Sequence, residues 1–178
     1  MATAQASPFL VSCFPHLSEY SSELTSALHA ASAYIVAPLT AIQKYLKKGT
    51  VAITSAPDVS DFSTAEKNAH GADAALVFVS VLQSESDDRD SLELDDNGAK
   101  LVVRVAAANA NTVVVIHAPA AVNLESFIDH PNVTAVLYAY YPGQESGNGL
   151  VRVLFGDQAP SGKVRMIIFS PFLCLRTC

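Results

Sequence analysis

Between Gln83 and Leu94 the chain reads QSESDDRDSLEL, five carboxylates around Arg89, directly after the apolar run AALVFVSVL. Clustered carboxylates can do several things. They can chelate a hard cation. They can supply a general acid or base when neighbours raise a carboxyl pKa. They can also stay solvated on a turn, with Asp88–Arg89 or Asp90–Arg89 contacts of little energetic weight. Further polar candidates lie downstream: His117 closes TVVVIH, Tyr140 and Tyr141 follow NVTAVLYA, and Gln144 and Glu145 sit in PGQESGNG. Each has a plain reading as well. His117 can be a strand-end histidine with a satisfied hydrogen bond. The tyrosines can be packing residues, and PGQESGNG a glycine-rich turn that caps a helix.

Motifs for other chemistries are absent. No G-x-G-x-x-G follows a strand. GDQAPSGK at 156–163 imitates a phosphate loop, but five residues separate its glycines, Val164 stands where Ser or Thr belongs, and a strand follows. GQESG is not a G-x-S-x-G elbow. The histidines are dispersed, and Cys13, Cys174 and Cys178 lack C-x-x-C spacing. No metal and no cofactor is therefore expected.

The bulk properties narrow the function classes. A chain of 178 residues suits one domain with a real core. With 50% hydrophobic and 16% charged residues, disorder over most of the length is excluded. A net charge of −6 argues against a nucleic-acid partner, which needs clustered Lys and Arg. The densest basic cluster, KYLKK at 44–48, reads as a solvated helix end. No stretch approaches the ~20 apolar residues of a membrane span, so no membrane partner is expected. MATAQASPFLVSCF lacks the basic and apolar regions of a signal peptide, which leaves localisation open. Asn132-Val133-Thr134 is a glycosylation sequon, relevant only to a secreted chain.

The candidate residues need elements to position them. Residues 1–32 are poor in pattern, with one weak helical stretch at SELTSALHAA, and read as an unmatched, partly disordered head. APLTAIQKYLKKG predicts a helix, with Pro38 near its start, Leu39, Ile42 and Leu46 on one face, and Gly49 at its stop. TVAIT predicts a short strand, and DFSTAEKNAHG a small helix closed by Gly71. AALVFVS, TVVVIHA and NVTAVLYAY are continuous apolar runs, the pattern of strands buried on both faces. NGAKLVVRVAAAN, NLESFIDH and the end of PGQESGNGLVRVLFGD predict helices, and GKVRMIIFS a last strand before a divergent tail at 170–178.

Such alternation predicts an α/β fold: a three-layer α/β/α sandwich around a mostly parallel sheet of five to six strands. Ligands of these sheets sit beyond the carboxyl ends of the strands. That rule gathers Asp88, Arg89, His117, Tyr140, Tyr141, Gln144 and Glu145 onto one rim, a palette suited to sugars. Carboxylates, amide and guanidinium would bind hydroxyls, and aromatic faces would cover C–H surfaces. A flavodoxin-like nucleotide or flavin binder shares this alternation, but no phosphate loop supports it.

The segments GADAALVFVS, SESDDRDSLEL, AAANANTVVVIHA and HPNVTAVLYAYYPGQESGNGLVRVLFGDQAPSGK closely resemble, in order and spacing, the C-terminal α/β-sandwich domain of glycoside hydrolase family 3. This is the β-glucosidase and β-xylosidase family, and the resemblance is strongest to fungal-type members. It covers residues 33–169, including AYIVAPLTAIQ. The resemblance implies one half of a retaining glycosidase. In the family a barrel-like N-terminal domain supplies an aspartate nucleophile, and the sandwich domain supplies a glutamate acid/base from the loop after an early strand. Many members read S-E-G-x-D-R there; this chain reads Ser84, Glu85, Ser86, Asp87, Asp88, Arg89, which puts Glu85 on the acid/base position. Arg165 replaces the usual proline, and HAPAAVN departs from H-S-x-G-P.

The implied function is a β-glucosidase-like domain, inactive alone because the residues before 33 are too few for a barrel of ~250. The implied partners are a β-glucoside or other small saccharide, and a barrel-domain or other protein on an exposed apolar face. The alternative is a carbohydrate-binding or protein-interaction module derived from the same domain.

Overall fold

The structure, a computed structural model, describes residues 8–12, 34–46, 52–55, 60–83, 86 and 88–162. Five strands are present among these: β1 (Pro8–Ser12), β2 (Ala52–Ser55), β3 (Ala74–Ser80), β4 (Thr112–His117) and β5 (Val133–Tyr138). They form one sheet in the order β2-β1-β3-β4-β5, and every pair is parallel. β3 and β4 pair in continuous register from Ala75↔Thr112 to Ser80↔His117. Their apolar runs are buried as the sequence predicts, with every side chain from Ala74 to Val79 inside. β5 differs from that expectation. Its one described neighbour is β4, and Thr134 and Ala135 are exposed. An apolar run shows that a strand can be buried, not that it has neighbours on both edges.

Pro8–Ser12 lies within the segment read as an unmatched head, yet it forms β1 between β2 and β3. A five-residue strand bounded by pattern-poor sequence has too few alternations to stand out. The order 2-1-3 follows from it. Right-handed crossovers then place the β1–β2 connection on one face of the sheet and the β2–β3 and β3–β4 connections on the other.

Helices α1 (Pro38–Tyr45), α2 (Phe62–Ala69), α3 (Gly98–Ala108) and α4 (Ser146–Leu154) lie where the sequence predicts. α1 opens on Pro38, whose missing N–H costs nothing in a first turn. α2 is capped by Asp61, whose carboxylate accepts from the Thr64 amide at 3.0 Å. The valines of α3 are tolerated because Val102 and Val105 join Leu101 and Ala106 in one buried stripe. α2 packs on α3, and α1 on α4. The helix expected over 123–130 is instead a succession of turns, in which the Phe127 and Ile128 amides both bond the Leu124 carbonyl. A single turn before Pro131 cannot recover the cost of helix nucleation. It still buries Phe127 completely in the core with Phe78, Ile42, Leu101 and Ile116. The last predicted strand, GKVRMIIFS, lies outside the described residues apart from its first, Gly162.

Candidate functional site

Parallel strands end on one edge. Ser80 of β3 faces His117 of β4, and Ile116 faces Tyr138 of β5, so the loops that follow these strands share one rim. The strand order reverses direction between β1 and β3, and the acidic loop leaves β3 at that reversal. In open α/β sheets this is where a crevice forms.

Glu85, with Ser84 and Asp87, lies outside the described residues. Ser86 is described, and its backbone φ is +79°. Glycine adopts that left-handed region freely and other residues adopt it at a cost. Glycine, the residue of the resembling motif at this position, would hold this conformation without strain; the serine here carries it. Asp88 is exposed. Arg89 donates from Nη1 to the Ala121 carbonyl and from Nη2 to the Glu93 carbonyl, each at 3.1 Å. Asp95 closes the loop by accepting from the Leu82 amide.

His117 is only 3% exposed and lies beneath the rim rather than on it. Its ring stacks on Phe78 at 6.3 Å, and its Nε2 is 3.5 Å from Ser146 Oγ at the start of α4. Nδ1 is buried with no hydrogen-bond partner among the described residues. Burial pushes the imidazole pKa down to about 4, so the ring is neutral near pH 7. The unfolded chain, with a histidine near 6.5, binds this proton and the folded chain does not. Stability from this site is therefore complete above pH ~6.5 and is lost as pH falls toward the folded value, by at most about 3 kcal/mol. Urea unfolding across this window should show a steeper pH dependence for wild type than for His117→Gln. Equal slopes would show that the ring's desolvation has no weight.

Tyr138 donates its hydroxyl to the Ala120 carbonyl and meets Tyr140 edge-on at 4.7 Å. Burial and the Tyr140 phenol raise its pKa, and Arg89 opposes them. Tyr140 is 49% exposed and holds φ +54°, a costly conformation for a bulky residue and one found disproportionately at functional sites. Tyr141 donates its hydroxyl to the Val81 carbonyl. An open groove of about 300 Å³ runs between β5 and α4, lined by Tyr138, Tyr140, Pro142, Leu150 and Pro160.

Gln144 and Glu145 belong to a different neighbourhood. The Gln144 carbonyl accepts from the Val36 amide at 2.9 Å. The Glu145 carboxylate accepts from the Tyr34 hydroxyl at 2.6 Å and from Asn148 Nδ2, and these bonds, Tyr34's first, hold its pKa below the usual value. The structure thus brings Arg89, Tyr138 and Tyr140 around the Ala120–Ala121 turn, sets Tyr141 on the end of β3, and leaves Gln144 and Glu145 at the α1–α4 junction. The sequence reading passes over Tyr138. Its place at the last position of a strand beside another tyrosine is the signal that could have found it.

Among the described residues, no group of three or more His, Cys, Asp or Glu could hold a metal ion. Nor is any described helix long and apolar enough to cross a membrane.

Comparison with known proteins fits this geometry. The family model described as "Glycosyl hydrolase family 3 C-terminal domain" matches residues 15–170. Probable beta-glucosidase G of Aspergillus terreus is 42% identical over 135 residues, covering 74% of this chain and 16% of that protein. Probable beta-glucosidase L of Emericella nidulans is 42% identical over 144 residues, covering 76% of this chain and 19% of that protein. The chain therefore spans less than a fifth of the length of these curated relatives. Among solved structures, beta-D-glucoside glucohydrolase from Trichoderma reesei superposes with a TM-score of 0.77 at 30% identity, over 91% of this chain and 26% of that one. By the extent of the family match, the chain belongs to the glycosyl hydrolase family 3 C-terminal domain family.

Proposed function

We propose that this chain supplies the acid/base half of a β-glucosidase-type site, in which Glu85 protonates the leaving oxygen of a β-glucoside and then activates water. The observation that carries this reading is the acidic loop, which leaves β3 at the reversal of strand order in a chain that belongs to this family. The curated relatives it resembles are named as probable beta-glucosidases. Retention of configuration needs two carboxyl groups about 5–5.5 Å apart across the scissile bond. The family resemblance assigns the second carboxylate, the nucleophile, to a barrel domain, so the chain by itself is inactive. Incubation with an aryl β-glucoside should give no turnover from the purified chain. Turnover should appear when a family barrel domain is added in trans, and Glu85→Gln should abolish it. Robust turnover by the chain alone, lost on Glu85→Gln, would overturn the claim of inactivity.

A second reading, binding without cleavage, is favoured by what the rim exposes. Tyr140 is accompanied by Leu82 at 53% and Leu92 at 58% exposure, both on the loop after β3. Exposed apolar side chains on loops that leave one sheet edge suit a sugar face or a partner protein. NMR titration with cellobiose distinguishes the two: shifts at Tyr140 support sugar binding, and their absence at high concentration leaves the protein partner.

A further inference from the structure

Arg89 stands among five carboxylates in sequence, yet both of its terminal nitrogens end on main-chain carbonyls. Those carbonyls belong to different loops. Glu93 lies on the loop after β3, and Ala121 on the loop after β4. Asn123 adds to the same seam: its amide donates to the Leu92 carbonyl at 2.7 Å, and its Nδ2 donates to Glu93 Oε1 at 2.7 Å. The neighbouring Ala120 carbonyl accepts from Tyr138, so the end of β5 joins as well.

An exposed ion pair would leave the loop backbone free to move, because it fixes only two side-chain tips. A guanidinium bonded to two carbonyls fixes the backbone itself. Its planar fork holds several donors in set directions, whereas an ammonium presents a single point. We propose that Arg89 is a positioning residue rather than a sugar ligand: it locks residues 88–93 against residues 120–123, so that this second half of the acidic loop holds one course before any saccharide or partner arrives. This rests on the reading of that loop as the bearer of the acid/base. The two carbonyls occupy two of the five guanidinium N–H donors, so the proposal gives Arg89 a structural task in place of the hydroxyl-binding one expected from the sequence.

Amide hydrogen exchange in the full chain tests the lock. The Asn123 amide should exchange at least about tenfold faster in both Arg89→Ala and Arg89→Lys, since lysine keeps the charge but not the fork. The core amides of Val114 and Val115 should exchange as in wild type, which separates a loosened seam from an unfolded chain. In wild type, the Arg89 side-chain resonances should not move on addition of cellobiose. Two results would overturn the proposal: Asn123 protection retained in Arg89→Lys, or a direct cellobiose shift at the Arg89 guanidinium. Should wild type show no cellobiose shift anywhere, the sugar-binding reading fails, and Asn123 exchange in the variants still decides the lock.

Discussion

Gly147→Ala is expected to destabilise the fold by about 3–4 kcal/mol, from overpacking plus two lost hydrogen bonds. A Cβ at this position would lie 2.6 Å from the Ala37 carbonyl oxygen, 2.7 Å from that of Val36 and 2.8 Å from Ala41 Cβ. Two of these obstacles are backbone oxygens, which cannot turn away as side chains do. α4 must then move off α1, and with that shift go two hydrogen bonds, Gly147 N to Val36 O at 2.8 Å and Val36 N to Gln144 O at 2.9 Å. Gly149, two positions along the same helix, is the internal control. It is exposed, and no described residue comes within 4 Å of a Cβ added there. Gly149→Ala should stabilise by up to about 1 kcal/mol through helix propensity alone. Equilibrium unfolding in urea measures both variants. If they shift the midpoint in the same direction, the close approach of α1 to α4 has been misread.

Asn109→Ala is expected to cost a similar amount, about 3 kcal/mol, with Asn109→Asp nearly as harmful. Asn109 is buried at the end of α3, where its Nδ2 donates to the Ala69 carbonyl at 2.9 Å and the Ala72 carbonyl at 2.6 Å. Its Oδ1 accepts from the Asn111 amide at 2.8 Å. Alanine takes the Asn109 partner from the Ala72 carbonyl and the Asn111 amide, a desolvation cost rather than a lost bonus, and leaves the Ala69 carbonyl only the Ala72 amide at 3.2 Å. Aspartate keeps the acceptor but loses both donors and sets a negative charge toward two carbonyl oxygens. The residue ties the α2–β3 turn to the α3–β4 turn, so calorimetry should register both variants as lowered melting temperatures. Wild-type stability in Asn109→Asp would show that the donors do not matter.

Helix starts and stops were legible because their causes are local. Pro38, the Asp61 cap and Gly71, which holds φ +81°, act within a few residues of themselves. β3 and β4 were legible because a strand buried on both faces needs an unbroken apolar run. β1 was not, because five residues carry little periodic signal and its place in the sheet depends on β2 and β3.

The rim shows the same division. Residue types and the S-E-x-x-D-R spacing determined by themselves that an acidic loop follows β3, and the motif series determined the family. Only the tertiary structure decided which rim residues meet. Arg89 bonds Ala121 across 32 positions, Asn109 bonds Ala69 across 40, and Glu145 turns to Tyr34 across 111. The tertiary structure also set Tyr140 in a left-handed backbone and sank His117 beneath the edge where strand order had placed it. Propensity and periodicity act between near neighbours in the chain, so they are written in the sequence. A hydrogen-bond partner far along the chain is chosen by where the backbone brings a free carbonyl, and that choice exists only once the layers have packed.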